Sequence, residues 1–272
     1  MAGTGRKWLK GCGISCGVIV LLNVVGWIVA GLFLTRPFTA AVSSQDALDK
    51  AFGPREAWVP PADGPTAARL EVFIAVRTDL DAQCAHFRDL HGRFAAMDEL
   101  DKQGDVSAGE ALKAVAPLMG SVLGMAGDIG RYLDARNQAL LDHGMGLGEY
   151  IWIYVLAYNA WLGHEPNLDF GDGGREGEYD PTDRTVLATL IEAHAGALEA
   201  AGRADEAAAW RAEAGRIGDT PSGVPFARDG VPADLAARFE PYRDALEAVY
   251  CEATGSLELG RIRQKGLSFH GD

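Results

Sequence analysis

Cysteine is scarce in this chain of 272 residues, which contains only Cys12, Cys16, Cys84 and Cys251. No two of them are separated by two residues, the spacing that zinc ribbons and thioredoxin-like redox sites use. The cysteine pattern therefore excludes both kinds of site. It leaves open whether Cys84 and Cys251 form a disulfide or remain two buried thiols.

Motifs of known catalytic and cofactor sites are also missing. A GxSxG pattern occurs only around Ser15, inside the long uncharged stretch near the N-terminus. No serine lies in an SxxK pattern, and no two histidines have the i, i+4 spacing of a helical zinc site. The glycine-rich stretch 144–148 runs into Glu149, where a dinucleotide fingerprint requires glycine. We therefore predict no cofactor, assign no catalytic residue and favour a non-enzymatic function.

Positive charge is sparse as well. The chain has 25 basic and 38 acidic residues, which gives a formal net charge of -13. Such a surface repels the phosphate backbone of DNA or RNA. Nucleic acid is therefore excluded as a partner.

The longest stretch without charge lies near the N-terminus and spans Gly11 to Leu34. A helix of this length covers roughly 36 Å, which is enough to cross a hydrocarbon core of about 30 Å. Arg6, Lys7 and Lys10 precede it. Cations next to a span stay on the cytoplasmic side, so we predict a single-pass protein of the bacterial plasma (inner) membrane. Its N-terminus is cytoplasmic and its C-terminal domain periplasmic or extracellular.

Two features refine this prediction. A cleaved signal peptide is the main alternative, but its apolar region is usually about 7–15 residues long. Gly13 and Gly17 have the small-xxx-small spacing that lets membrane helices approach closely, which suggests a homodimer contact.

Alternating β-type patterns are absent from the remainder, whereas helical periods recur throughout. We predict an all-α protein, an irregular helical bundle after one transmembrane helix. The predicted organisation begins with a cytoplasmic stub (1–10) and the span (11–34). A linker with one short helix (35–64) leads to a helical extracytoplasmic domain (65–253) and a flexible tail (254–272).

Several helices have clear limits in the sequence. A short helix is predicted from Ser43 to Phe52, and a longer one after Pro65 carries an apolar stripe from Phe73 to Met97. Ser107 to Glu110 forms a capping box that begins the next helix. A helical hairpin with its turn near Gly202 follows later in the chain.

The region 144–180 is the strongest candidate for binding. Tyr150, Tyr154, Tyr158 and Trp161 share one face of an apolar helix, which is either core or the aromatic wall of a ligand pocket. Glu149 in the first turn is either a helix cap or a partly buried acid or base.

The loop after this helix is rich in glycine and acidic residues. Asn167, Asp169 and Glu178 match positions 1, 3 and 12 of a calcium loop. Asp172, however, stands where that loop requires glycine, which favours a solvated loop. Whether a metal binds here stays open.

Two short motifs resemble an uncharacterised family of bacterial membrane-anchored proteins. They are Gly146-Leu147-Gly148-Glu149-Tyr150, with the aromatic helix after it, and Pro241-Tyr242-Arg243. The resemblance implies an anchored helical protein and carries no assigned activity.

Three hypotheses follow. The first is a membrane-anchored envelope protein that acts as a binding or scaffold module for other envelope proteins. The second is a small-ligand or calcium-binding protein that uses residues 144–180. The third, an envelope hydrolase acting through Glu149, has the least support.

Overall fold

A computed structural model describes residues 36–102, 108–166, 181–219 and 223–261. Within these ranges the protein is helical and contains no strand, which confirms the predicted all-α class. The predicted span from Gly11 to Leu34 lies outside them, as do Gly13 and Gly17. Among the described helices, none combines the length and the apolar character that a membrane crossing requires.

The helices are named here in chain order. They are α1 (residues 36–52), α2 (Ala67–Asp79), α3 (Asp81–Lys102), α4 (Ala108–Asp142), α5 (Leu147–Tyr154), α6 (Pro181–Ala200), α7 (Ala204–Asp219), α8 (Ala233–Phe239) and α9 (Arg243–Ala248). A π-helical turn, Val155–Trp161, continues α5, and 3-10 turns cover Arg55–Ala57, Glu240–Tyr242 and Glu252–Leu257.

Helix α5 lies at the centre of the fold. Every residue from Tyr150 to Tyr158 is buried, because this stretch is apolar on all sides except for its tyrosine hydroxyls and the indole N–H of Trp152. It contacts α2, α6 and the turn Arg55–Ala57, while α6 and α7 pack against each other as an antiparallel hairpin. Gly202 forms the hairpin turn with a positive φ of 79°.

Helix α1 is longer than predicted and belongs to the core. It is already helical at residue 36 rather than beginning at Ser43, and it ends at Phe52 before Gly53, whose φ is 81°. Gly130 of α4 allows the close contact, since a Cβ there would lie 2.9 Å from Pro37 Cβ. Residues 36–52 are therefore not part of a linker.

The long helix predicted after Pro65 is two helices with a break at Leu80. The Leu80 N–H bonds to the Arg77 carbonyl at 3.2 Å, which ends α2. The buried stripe nevertheless continues through Phe73, Val76, Leu80 and Phe87. An apolar period cannot reveal a break that leaves the same face buried.

The structure also corrects the tail predicted from residue 254. Thr254, Leu257, Glu258 and Leu259 are all buried, and Glu258 is 0% exposed. Residues 249–261 are named the C-terminal strap below. Its polar, glycine-containing sequence suggested a loose end, but its oxygen atoms are the partners of buried arginines.

Candidate functional site

Cys84 and Cys251 form a disulfide, with their Cα atoms 5.9 Å apart. Of the two states predicted, the structure therefore contains the bonded one. The bond links α3 to the start of the C-terminal strap across 167 residues of sequence. Both cysteines are buried, so the link lies inside the core.

The strap brings Glu258 to Arg77 of α2. Arg77 Nη1 lies 2.5 Å from Glu258 Oε1, and the two side chains are 1% and 0% exposed. Glu258 also accepts hydrogen bonds from the Tyr150 hydroxyl at 2.5 Å and the Thr254 hydroxyl at 2.8 Å. Neighbouring groups thus form further hydrogen bonds with this buried ion pair. A buried pair is tolerated in a folded protein when its charges are satisfied in this way.

Two further buried arginines also bind the strap. Arg136 of α4 donates to the carbonyls of Leu257, Glu258 and Gly260 at 2.8–2.9 Å. Arg55 donates to the carbonyl of Leu259. Arg136 thus caps the end of the last 3-10 turn, where carbonyls without helical partners accumulate.

The predicted aromatic face is core rather than a pocket wall. The rings of Tyr150, Tyr154 and Tyr158 contact one another in sequence, tilted or edge-on, with centroids 5.0–6.1 Å apart. Phe73 packs against the first and the last. Arg77 lies 5.5 Å from the centroid of the Tyr154 ring. Burial raises the pKa of Tyr150 and Tyr154 well above the usual range, and Glu258 adds to this effect.

The electrostatics of this cluster suit a structural role. Burial alone would lower the pKa of Arg77, but the charge of Glu258 raises it above its usual value. The guanidinium and the phenol hydroxyls therefore keep their protons at every physiological pH. The cluster is closed to solvent, because all of its side chains are buried.

The other predicted site residues lie apart from this cluster. Glu149 forms an ion pair with Arg69 at the start of α5. Arg69 donates two hydrogen bonds to it, from Nε to Glu149 Oε1 at 2.7 Å and from Nη2 to Glu149 Oε2 at 2.6 Å. Trp161 is half-buried under the guanidinium of Arg243, 4.2 Å from its ring centroid.

The acidic-loop prediction is outside the part of the chain that the structure describes, since Asp169 and Asp172 both lie in the gap between 166 and 181. Among the described residues no group of three or more potential ligands could hold a metal ion. Calcium binding by this loop stays a prediction.

The glycines before Glu149 have a packing role. A Cβ on Gly148 would lie 2.4 Å from the Arg55 carbonyl oxygen and 2.7 Å from Trp58 Cβ. A Cβ on Gly146 would lie 3.0 Å from Phe52 Cβ. This motif therefore allows the segment after α1 to cross α5 at close range.

A second cluster of polar groups surrounds a small cavity between α5, α6 and α7. His194 lies against Trp152 and Trp210, with ring centroids 5.1 and 4.3 Å away, and the two indoles stack at 5.3 Å. Trp152 Nε1 and His194 Nδ1 are buried without a hydrogen-bond partner among the described residues.

Sequence reasoning missed the arginines, Glu258 and this cavity. The sequence held a signal for Arg77, which lies in the apolar stripe formed by Phe73, Leu80, Cys84 and Phe87. It held a similar signal for Arg136, which lies between Tyr132 and Leu140 on the buried face of α4. A charged residue in such a stripe requires a buried partner. Nothing local identifies that partner as Glu258.

Comparisons with protein-family models, with curated proteins and with solved structures found no match to this chain.

Proposed function

We propose that this chain is a membrane-anchored envelope protein whose extracytoplasmic helical domain is a non-catalytic binding or scaffold module. The observation that carries the proposal is the closed cluster around Arg77 and Glu258. Its charged groups hold helices and strap together and face no cleft. A domain built this way offers its outer surface to partners, and its interior maintains the shape of that surface.

The disulfide supports the proposed compartment. A bond such as Cys84–Cys251 persists in oxidising spaces and is rare in the cytosol. The uncharged segment 11–34, preceded by three cations, is a suitable anchor for a domain on that side of the membrane.

Reporter fusions test the location. Alkaline phosphatase, active only outside the cytoplasm, or β-galactosidase, active only inside it, is joined after Asp272 of the full chain. We expect phosphatase activity in the membrane fraction that resists a high-salt wash. Deletion of residues 11–34 is the control and should abolish it. An active β-galactosidase fusion would contradict the proposed orientation.

Site-specific photocrosslinking in living cells tests the binding role. The crosslinker replaces Ala68 of α2, Ala208 of α7 or Ala245 of α9, which are exposed and lie on different helices. A binding module should give discrete products at one of these positions and none at the others, and the partner should form the reciprocal product. An absence of discrete products at every exposed position of the domain would refute the binding role.

A further inference from the structure

The cavity beside His194 has a volume of about 20 Å³. Its walls come from α5, α6, α7, the connector before α2 and the start of α8. Since one water-sized molecule needs at least about 10–15 Å³, the space admits a single small polar group next to aromatic walls.

The two unpaired nitrogen atoms belong to residues that line this cavity. Trp152 and His194 are each only 3% exposed, and their Nε1 and Nδ1 atoms have no partner among the described residues. A buried donor or acceptor without a partner destabilises the folded state, because it has lost its hydrogen bonds to water. A group bound in the cavity would remove that destabilisation for both atoms.

The protonation of His194 defines what can bind. Burial lowers the pKa of His194 to about 4, although a hydrogen bond to the Pro60 backbone acts in the opposite direction. The ring is therefore neutral at pH 7 and has one N–H. A proline backbone offers only a carbonyl, so the ring N–H points to Pro60. The unpaired Nδ1 is then an acceptor, whereas the Trp152 indole N–H is always a donor.

The cavity mouth favours a neutral ligand. Arg203 lies there with Glu206, Asp63 and Asp234, and all four line the opening. Three carboxylates against one guanidinium repel anions. The neutral imidazole and the indoles offer no charge to balance a cation deeper inside.

We infer that this cavity is a binding site for one hydroxyl group, which accepts from Trp152 Nε1–H and donates to His194 Nδ1. Water and a small alcohol both supply this chemistry, and the site requires no other element of the proposed function. The site is supported by the combination of a complementary donor and acceptor on two residues that line a space of matching size.

NMR of the full chain in detergent micelles distinguishes the sources. The indole N–H signal of Trp152 is assigned by its loss in Trp152→Phe. Bound water gives a cross-relaxation signal between water and this indole proton. Methanol is then titrated as the alcohol probe. A saturable shift of the Trp152 signal on adding methanol identifies an alcohol site. If methanol causes no saturable shift but the water signal is present, water is the ligand.

His194→Phe is the decisive variant, because it removes the acceptor and keeps an aromatic ring. We expect the water signal at Trp152 to be lost or at least severalfold weaker. The control is Trp161→Phe, which changes an indole outside the cavity and should leave the Trp152 signal unchanged. The inference is overturned if wild-type protein shows neither a water signal nor a saturable methanol shift at Trp152.

Discussion

Substitution of Glu258 by glutamine should strongly destabilise the fold. Glutamine keeps the shape of the side chain and removes its charge, which leaves the guanidinium of Arg77 buried without a counter-ion. Both side chains are at most 1% exposed, so solvent does not screen the loss. Breaking a fully buried pair costs about 3–5 kcal/mol. That corresponds to roughly a hundredfold to several-thousandfold in the folding equilibrium.

The measurement is urea unfolding of the full chain in detergent, followed by tryptophan fluorescence. Glu247→Gln is the matched control, because Glu247 is 46% exposed and pairs with His164 at the surface. It should change the free energy of unfolding by no more than about 0.5 kcal/mol. Equal stability of the Glu258 and Glu247 variants would refute the assignment of Glu258 as the counter-ion of a buried arginine.

A double replacement measures the interaction energy between Arg77 and Glu258 separately from the cost of changing each residue alone. Arg77→Met with Glu258→Leu removes both charges together and leaves apolar side chains inside the core. We expect this variant to be more stable than the sum of the two single changes predicts, by about 1–3 kcal/mol. Strict additivity would show that the two groups do not interact in the folded protein.

Three further results are expected in the same unfolding assay. Gly148→Ala should cost about 1–3 kcal/mol through overlap with the adjacent backbone, whereas Gly196→Ala, in open space on α6, should be neutral or slightly stabilising. Reduction of the Cys84–Cys251 bond should cost about 2–5 kcal/mol in wild-type protein and nothing in the double alanine variant. His194, with its folded pKa lowered to about 4, should make stability fall by about 3 kcal/mol as pH drops from 6.5 to 4, and His194→Phe should remove this loss.

The pH dependence has a definite sign. In the unfolded chain an imidazole takes up its proton near pH 6.5, whereas in the folded protein burial delays this to about pH 4. Acid therefore favours the unfolded state across that window, and above pH 6.5 the contribution to stability is complete. A free energy of unfolding that rises on acidification from 6.5 to 4 would contradict the burial of His194.

Local chemistry made much of the helical architecture predictable. Glycines at 53, 144 and 202 adopt positive φ at helix ends, which sequence alone indicates because other residues pay a steric penalty there. Pro232 and Pro241 likewise mark the start of α8 and the interruption before α9. These signals act within a few residues and need no knowledge of the rest of the fold.

The aromatic helix shows where such reasoning stops. Its periodicity placed Tyr150, Tyr154 and Tyr158 on one face, and the structure agrees, since all three rings adjoin. Periodicity could not say whether that face meets a ligand or another part of the chain. The answer depended on the strap, which returns from about a hundred residues away to place Glu258 against Tyr150.

By itself, the sequence determined the helical class, most helix ends and the buried stripes, because these depend on local sterics and periodicity. Only the tertiary structure decided that Arg77, Arg136 and Arg55 share the C-terminal strap as partner, that Cys84 reaches Cys251, and that Trp152 and His194 border one cavity. The arginines and their partners in the strap are 121 to 204 residues apart, so they meet only when the whole chain has packed. No local rule encodes which buried charge will find which oxygen.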